Sequence, residues 1–80
     1  MKAVVVVTLK KEVLDPQGKA IQHACEQLGY DAVAGVRQGK YFEVELDADG
    51  PEAARALLEE LSAKLLANPV IEDHRIVSVD

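Results

Sequence analysis

Ala3-Val-Val-Val-Val-Thr-Leu9 is the stretch on which the fold of this chain turns. It is β-branched almost throughout and shows no polar alternation, which suits a central strand covered on both faces. Lys10, Lys11 and Glu12 end it. Asp15-Pro16 then has the form of a helix start: Asp15 can accept hydrogen bonds from free backbone N–H groups, and Pro16 at the first helical position gives up no needed donor. The spacing predicts a helix over 16–28, with Ala20, Ile21, Ala24, Cys25 and Leu28 on one apolar face. Gly29 fits the left-handed position that follows a helix.

Further along, residues 32–37 (AVAGVR) and 41–47 (YFEVELD) read as two strands joined by a tight turn around Gln38-Gly39, with Gly39 supplying a positive φ. In the second of them Phe42, Val44 and Leu46 point one way, Tyr41, Glu43 and Glu45 the other. Pro51 begins a second helix, along which Ala54, Leu57, Leu58, Leu61 and Leu65 recur at helical spacing. Asn68-Pro69 stops it. Val70–Val79 closes the chain as an extended segment, with Ile76–Val79 its clearest strand. The order β-α-β-β-α-β predicts an α+β fold: a four-stranded, mainly antiparallel sheet with two helices on one face. No linker or repeat divides residues 1–80, so a single domain is expected. The second face of the first strand then has no layer of its own chain to cover it, and self-association or a partner is the natural cover.

Composition narrows the function. Nine Lys and Arg stand against fourteen Asp and Glu, a net charge of -5, which argues against a phosphate-driven nucleic-acid binder. The charge is uneven, +2 over residues 1–42 and -7 over residues 43–80, an arrangement that favours oriented contact with another protein. One cysteine makes neither an intramolecular disulfide nor, alone, a zinc cluster. The opening apolar run is too short for a bilayer span or a signal-peptide core. The expectation is a cytoplasmic chain with no membrane and no nucleic acid among its partners. Thr8, Ser62 and Ser78 are the only hydroxyl residues apart from tyrosine. An active site needs a nucleophile or acid–base pair, an orienting group and a pocket, and this inventory hardly supplies them.

Individual motifs add little chemistry. Gly35-Val-Arg-Gln-Gly39-Lys40 has three residues between its glycines where a phosphate loop needs four, and Tyr41 follows the lysine where that loop needs a hydroxyl. Glu72-Asp73-His74 collects three potential metal ligands, yet only Glu72 and His74 share a face of an extended segment, and two ligands do not make a site. His23 and Cys25 are two positions apart on a helix and face different ways. Cys25 reads as a small core residue and His23 as exposed. Lys10, Lys11, Lys19, Arg37 and Lys40 would form a basic patch if their loops converged. No catalytic, cofactor or metal residue is expected in this chain.

Three blocks make the sequence specific: Val13-Leu14-Asp15-Pro16-Gln17-Gly18, Val36-Arg37-Gln38-Gly39-Lys40-Tyr41, and Lys64-Leu65-Leu66-Ala67-Asn68-Pro69-Val70-Ile71-Glu72. Together, in this order and spacing, they closely resemble the PurS family, the small subunit of the three-component phosphoribosylformylglycinamidine (FGAM) synthase. That resemblance implies a ligase of de novo purine synthesis. Its glutaminase subunit (PurQ) releases ammonia, and its synthetase subunit (PurL) activates an amide oxygen with ATP and accepts that ammonia. ATP, Mg and glutamine are then used by the partner subunits, with no cofactor in this chain. The family's small subunit has no chemistry of its own. It assembles as a homodimer or dimer of dimers and holds the other two in place.

By the same resemblance, Asp15, Pro16, Gly18, Gly39, Asn68, Pro69 and Ile71 set backbone geometry. Gln17, Arg37, Lys40 and Glu72 are the candidates for contact across a subunit interface. Two other classes compete. A free-standing ACT-like ligand-sensing module shares the β-α-β-β-α-β order but leaves the D-P-Q-G and L-L-A-N-P-V blocks unexplained. A small independent enzyme, built on Cys25 or His74, lacks an orienting group.

Overall fold

The computed structural model describes residues 1–80. Its elements, in chain order, are β1 (Lys2–Leu9), α1 (Pro16–Gln27), β2 (Gly39–Glu45), α2 (Pro51–Leu61), a π-helical turn (Ser62–Leu66) and β3 (Glu72–Val79). The apolar run is the central strand: the sheet order is β2-β1-β3, and both pairings are antiparallel. Val4 lies opposite Ser78 and Val5 opposite Ile76, so Val77 is the extra residue of a β-bulge. Ala3, Val5 and Val7 are fully buried on one face, where they meet Leu58 and Ala67; Phe42, Val44, Leu46, Leu66, Ile76 and Val79 pack around them.

The sheet has three strands, not four. Residues 32–37 form no strand, and the expected hairpin around Gln38-Gly39 is absent. Ala32, Ala34 and Gly35 carry too little side chain to pack a pleated surface. The segment instead runs back along α1, where Gln22 Nε2 donates to Ala34 O at 3.0 Å. Gly39 is not in the left-handed region; Gly29 (φ 90) is the one glycine that is. Gly39 serves close approach: a Cβ there would lie 2.7 Å from Val7 O and 2.8 Å from Thr8 Cγ2.

The helices differ from each other. α2 lies on the sheet through Ala54 and Leu58, both fully buried, and Ser62 continues that stripe. Leu57 and Leu65 stand off it and are 47% and 73% exposed. Past Leu61 the helix widens into the π-turn, with Ala67 N–H donating to Ser62 O five residues back. Helix α1 ends as its glycine predicts, in a Schellman motif: Tyr30 N–H donates to Cys25 O and Gly29 N–H to Glu26 O.

Its apolar face, however, does not enter the core. Ala20, Ile21, Ala24 and Leu28 are exposed and Cys25 is half-buried, so the expected second covering helix projects from the sheet as an arm. The radius of gyration is 15.9 Å and the extents are 51 × 25 × 14 Å. A compact chain of this length would have a radius near about 12 Å. On the sheet face away from α2, Val4 and Val6 are half-buried, and the register sets Tyr41, Glu43, Arg75 and Ser78 beside them. That face is more polar than the β1 run alone suggests. No helix is long and apolar enough to cross a membrane.

Candidate functional site

The residues singled out in the sequence meet where the arm joins the sheet. Asp15 precedes the first turn of α1 in an extended conformation, and its Oδ1 accepts the Gly18 N–H at 3.0 Å. Its Oδ2 accepts the backbone N–H of Gln38 at 2.7 Å, tying the start of α1 to the residue that leads into β2. Asp15 is 5% exposed, and its carboxyl pKa is held below the ordinary value of 3.8. The Gln38 N–H is the largest cause, then the Gly18 N–H, with burial opposing and Arg37 and the Gln17 N–H adding smaller favourable effects. Gly18 is buried against Val36 O, which leaves no room for a side chain.

Arg37 completes the junction from the other side. Its guanidinium donates to Lys10 O at 2.9 Å and to Leu9 O at 3.4 Å, so the segment leaving the arm is bound to the end of β1. Gln17, Lys40 and Glu72, the other three interface candidates, line one groove of about 200 Å³ with Asp15, Gln38 and Gly39. Arg37 falls on the neighbouring groove, with Lys19 and Gln22. The structure therefore brings the four candidates to one root but distributes them over two sides of it.

Asn68, Pro69, Ile71 and Glu72 form the turn that leads into β3. Asn68 Oδ1 accepts the Val70 N–H, and Asn68 O accepts those of Ile71 and Glu72. In return Glu72 Oε1 accepts the Asn68 N–H at 2.8 Å, closing the turn on itself. Its Oε2 lies 3.6 Å from Lys40 Nζ. Ile71 O accepts the Lys10 N–H, which fixes the turn to the end of β1 beside Arg37.

The basic residues do not pool into one patch. Lys10 Nζ is 3.3 Å from Asp73 Oδ1, and Lys40 is drawn to Glu72. His74 faces α2, with Nε2 2.8 Å from Glu59 Oε2, a contact the sequence reading passed over. Its signal was positional: Glu59 follows Leu58 and therefore borders the buried stripe. His23 is exposed and lies 3.3 Å from the Gln27 amide. No group of three or more His, Cys, Asp or Glu side chains is placed to hold a metal. The arrangement is one of backbone donors and carbonyls tied by charged side chains, suited to fixing geometry.

Comparison with known proteins is consistent along the whole chain. The family model described as PurS, phosphoribosylformylglycinamidine (FGAM) synthase, matches residues 2–80. The phosphoribosylformylglycinamidine synthase subunit PurS of Bacillus subtilis (strain 168) is 47% identical over 74 residues, covering 92% of this chain and 87% of its own length. The crystal structure of Methanocaldococcus jannaschii PurS, one of the subunits of formylglycinamide ribonucleotide amidotransferase, superposes with a TM-score of 0.86 at 41% identity, over 94% of this chain and 90% of that one. A chain in the structure of PurLQS from Thermotoga maritima superposes with a TM-score of 0.85 at 25% identity, over 99% of each.

Proposed function

This chain belongs to the PurS family, and from that premise we propose that it is a non-catalytic assembly subunit of phosphoribosylformylglycinamidine synthase. It bridges the glutaminase subunit PurQ and the synthetase subunit PurL so that ammonia released from glutamine reaches the activated amide. The observation that carries this reading is the likeness, over 99% of each chain, to a member of the PurLQS structure. The chain's own chemistry agrees. Its charged side chains tie segments of the chain together. ATP, Mg²⁺ and glutamine belong to the partners in this reading, and the assembly is cytoplasmic. No observation favours the ACT-like alternative.

The active form contains at least two copies of the chain, as a homodimer or dimer of dimers. Two features support this. The apolar face of α1, with Ile21 44% and Leu28 75% exposed, has no cover in its own chain. The same sheet face that α2 covers has Phe42, Val44 and Leu46 only half-buried near its β2 edge. A second copy offers each surface its complement: the arm of one chain and the sheet of the other.

The test is assembly. Glutaminase and synthetase subunits are mixed with and without this chain, with ATP and glutamine present, and passed over a sizing column. Co-elution of all three only when the chain is added supports the reading. A glutaminase–synthetase complex that forms equally well without it, with the chain eluting alone, contradicts it.

A further inference from the structure

The arm is joined to the sheet at one place. Helix α1 runs outward, the chain turns at Gly29, and residues 33–37 return beside the helix, where Gln22 Nε2 donates to Ala34 O and Gly18 abuts Val36 O. Helix and return segment thus form a two-ply unit, and α1 itself makes no extensive contact with any strand or with α2. What fixes this unit to the sheet lies at its root. Asp15 accepts the N–H groups of Gly18 and Gln38, and Arg37 donates to the carbonyls of Leu9 and Lys10.

We propose that Asp15 and Arg37 are positioning residues: they set the angle of the α1 arm to the sheet, and the coupling of glutamine hydrolysis to synthesis depends on that angle. This rests on the assembly reading above. The mechanical reason is leverage. A helix of 12 residues is about 18 Å long, so a rotation of about 10° at its root displaces its tip by about 3 Å. Packed surfaces do not absorb a shift of that size, because close-packed interfaces register changes of a single methylene.

The root is built to resist rotation. Its bonds run to four backbone atoms in three separate segments, and the shared carboxylate is shielded from water. Asp15→Asn preserves size but sets an amide N–H against a backbone N–H, so one of the two donors loses its acceptor. Arg37→Met removes the donors to β1 while leaving the cap of α1 intact. Arg37→Lys retains one donor group toward the same carbonyls.

The experiment uses the three-subunit complex, with synthesis driven in parallel by glutamine and by ammonium ion. Ammonium reaches the synthetase from solution and does not need the bridge. Asp15→Asn should co-elute with both partners, and both it and Arg37→Met should retain the ammonium-driven rate, which does not need the bridge. Their glutamine-driven rate should fall about tenfold, within the 5–150-fold span typical of coupling between sites, while glutamine is still hydrolysed. Arg37→Lys should recover part of the loss.

A variant that keeps the wild-type ratio of the two rates overturns the proposal. So does a variant that leaves the complex altogether, since that makes the root a requirement for folding or docking and not for alignment. Should the wild-type chain itself fail to raise the glutamine-driven rate, it is the assembly reading that falls.

Discussion

Asp15 Oδ2 accepts the backbone N–H of Gln38 at 2.7 Å, across twenty-three positions of sequence. This bond closes the base of a loop that contains α1, and the other oxygen of the same carboxylate caps that helix. One side chain therefore serves a local and a long-range purpose. The aspartate at the head of a D-P-Q-G block is more than a helix cap.

The same bonds predict a pH dependence. They hold the folded-state pKa of Asp15 below its ordinary value of 3.8. The stabilisation is then complete above that value and is lost as the pH falls below it, through the folded-state pKa. Denaturant midpoints of the wild-type chain and Asp15→Asn should converge on acidification from about pH 5 to about pH 2. A difference that stays constant over that range contradicts the account.

Gly18→Ala sets two effects against each other. Alanine is the better helix former by about 1 kcal/mol. A Cβ at this position would collide with Val36 O, a backbone atom that cannot swing aside. The clash should win, with a net loss of about 1–3 kcal/mol. Gly35→Ala, where nothing lies within 4 Å of the added carbon, should change stability by under about 1 kcal/mol. Equal effects at the two positions in urea denaturation would dismiss the packing argument.

Sequence patterning reached as far as local rules extend. The Ala3–Leu9 run announced the central strand, Asp15-Pro16 and Gly29 announced the ends of α1, and the 54/58 spacing announced the face of α2. It failed where tertiary placement decides. The Ile21/Leu28 stripe shows that α1 seeks an apolar surface but not whether that surface belongs to its own chain. Residues 32–37 look like a strand because valine and alanine alternate there, yet Ala34 O accepts from a helix side chain and Gln38, just beyond them, donates to the capping carboxylate. The three motif blocks were legible as a set. That they converge on one root was not, because the bonds that join them to one another and to β1 span more than twenty residues.

Leu57 and Leu58 are neighbours in the helical pattern with opposite fates. Leu58 is fully buried under α2 and Leu57 is 47% exposed. Leu58→Ala should cost about 2–5 kcal/mol and Leu57→Ala under about 1 kcal/mol, both read from thermal or chemical unfolding. The reverse order would mean that α2 is rotated on the sheet.

Ile21 and Leu28 test the second copy. Both are exposed on α1, so a single chain tolerates charge there. Ile21→Asp with Leu28→Asp should retain helical circular dichroism while the solution mass by light scattering drops to that of one chain. An unchanged oligomer would remove the arm from the contact between copies.

Coupling of glutaminase to synthetase by this chain is read out by glutamine-driven FGAM synthesis. Purified glutaminase and synthetase subunits are supplied with ATP and glutamine, and the chain is titrated in. Glutamine-driven synthesis should rise from near zero to saturation at a fixed ratio of chain to partners, while ammonium-driven synthesis does not change. Partners that make FGAM from glutamine at the full rate without the chain would contradict it.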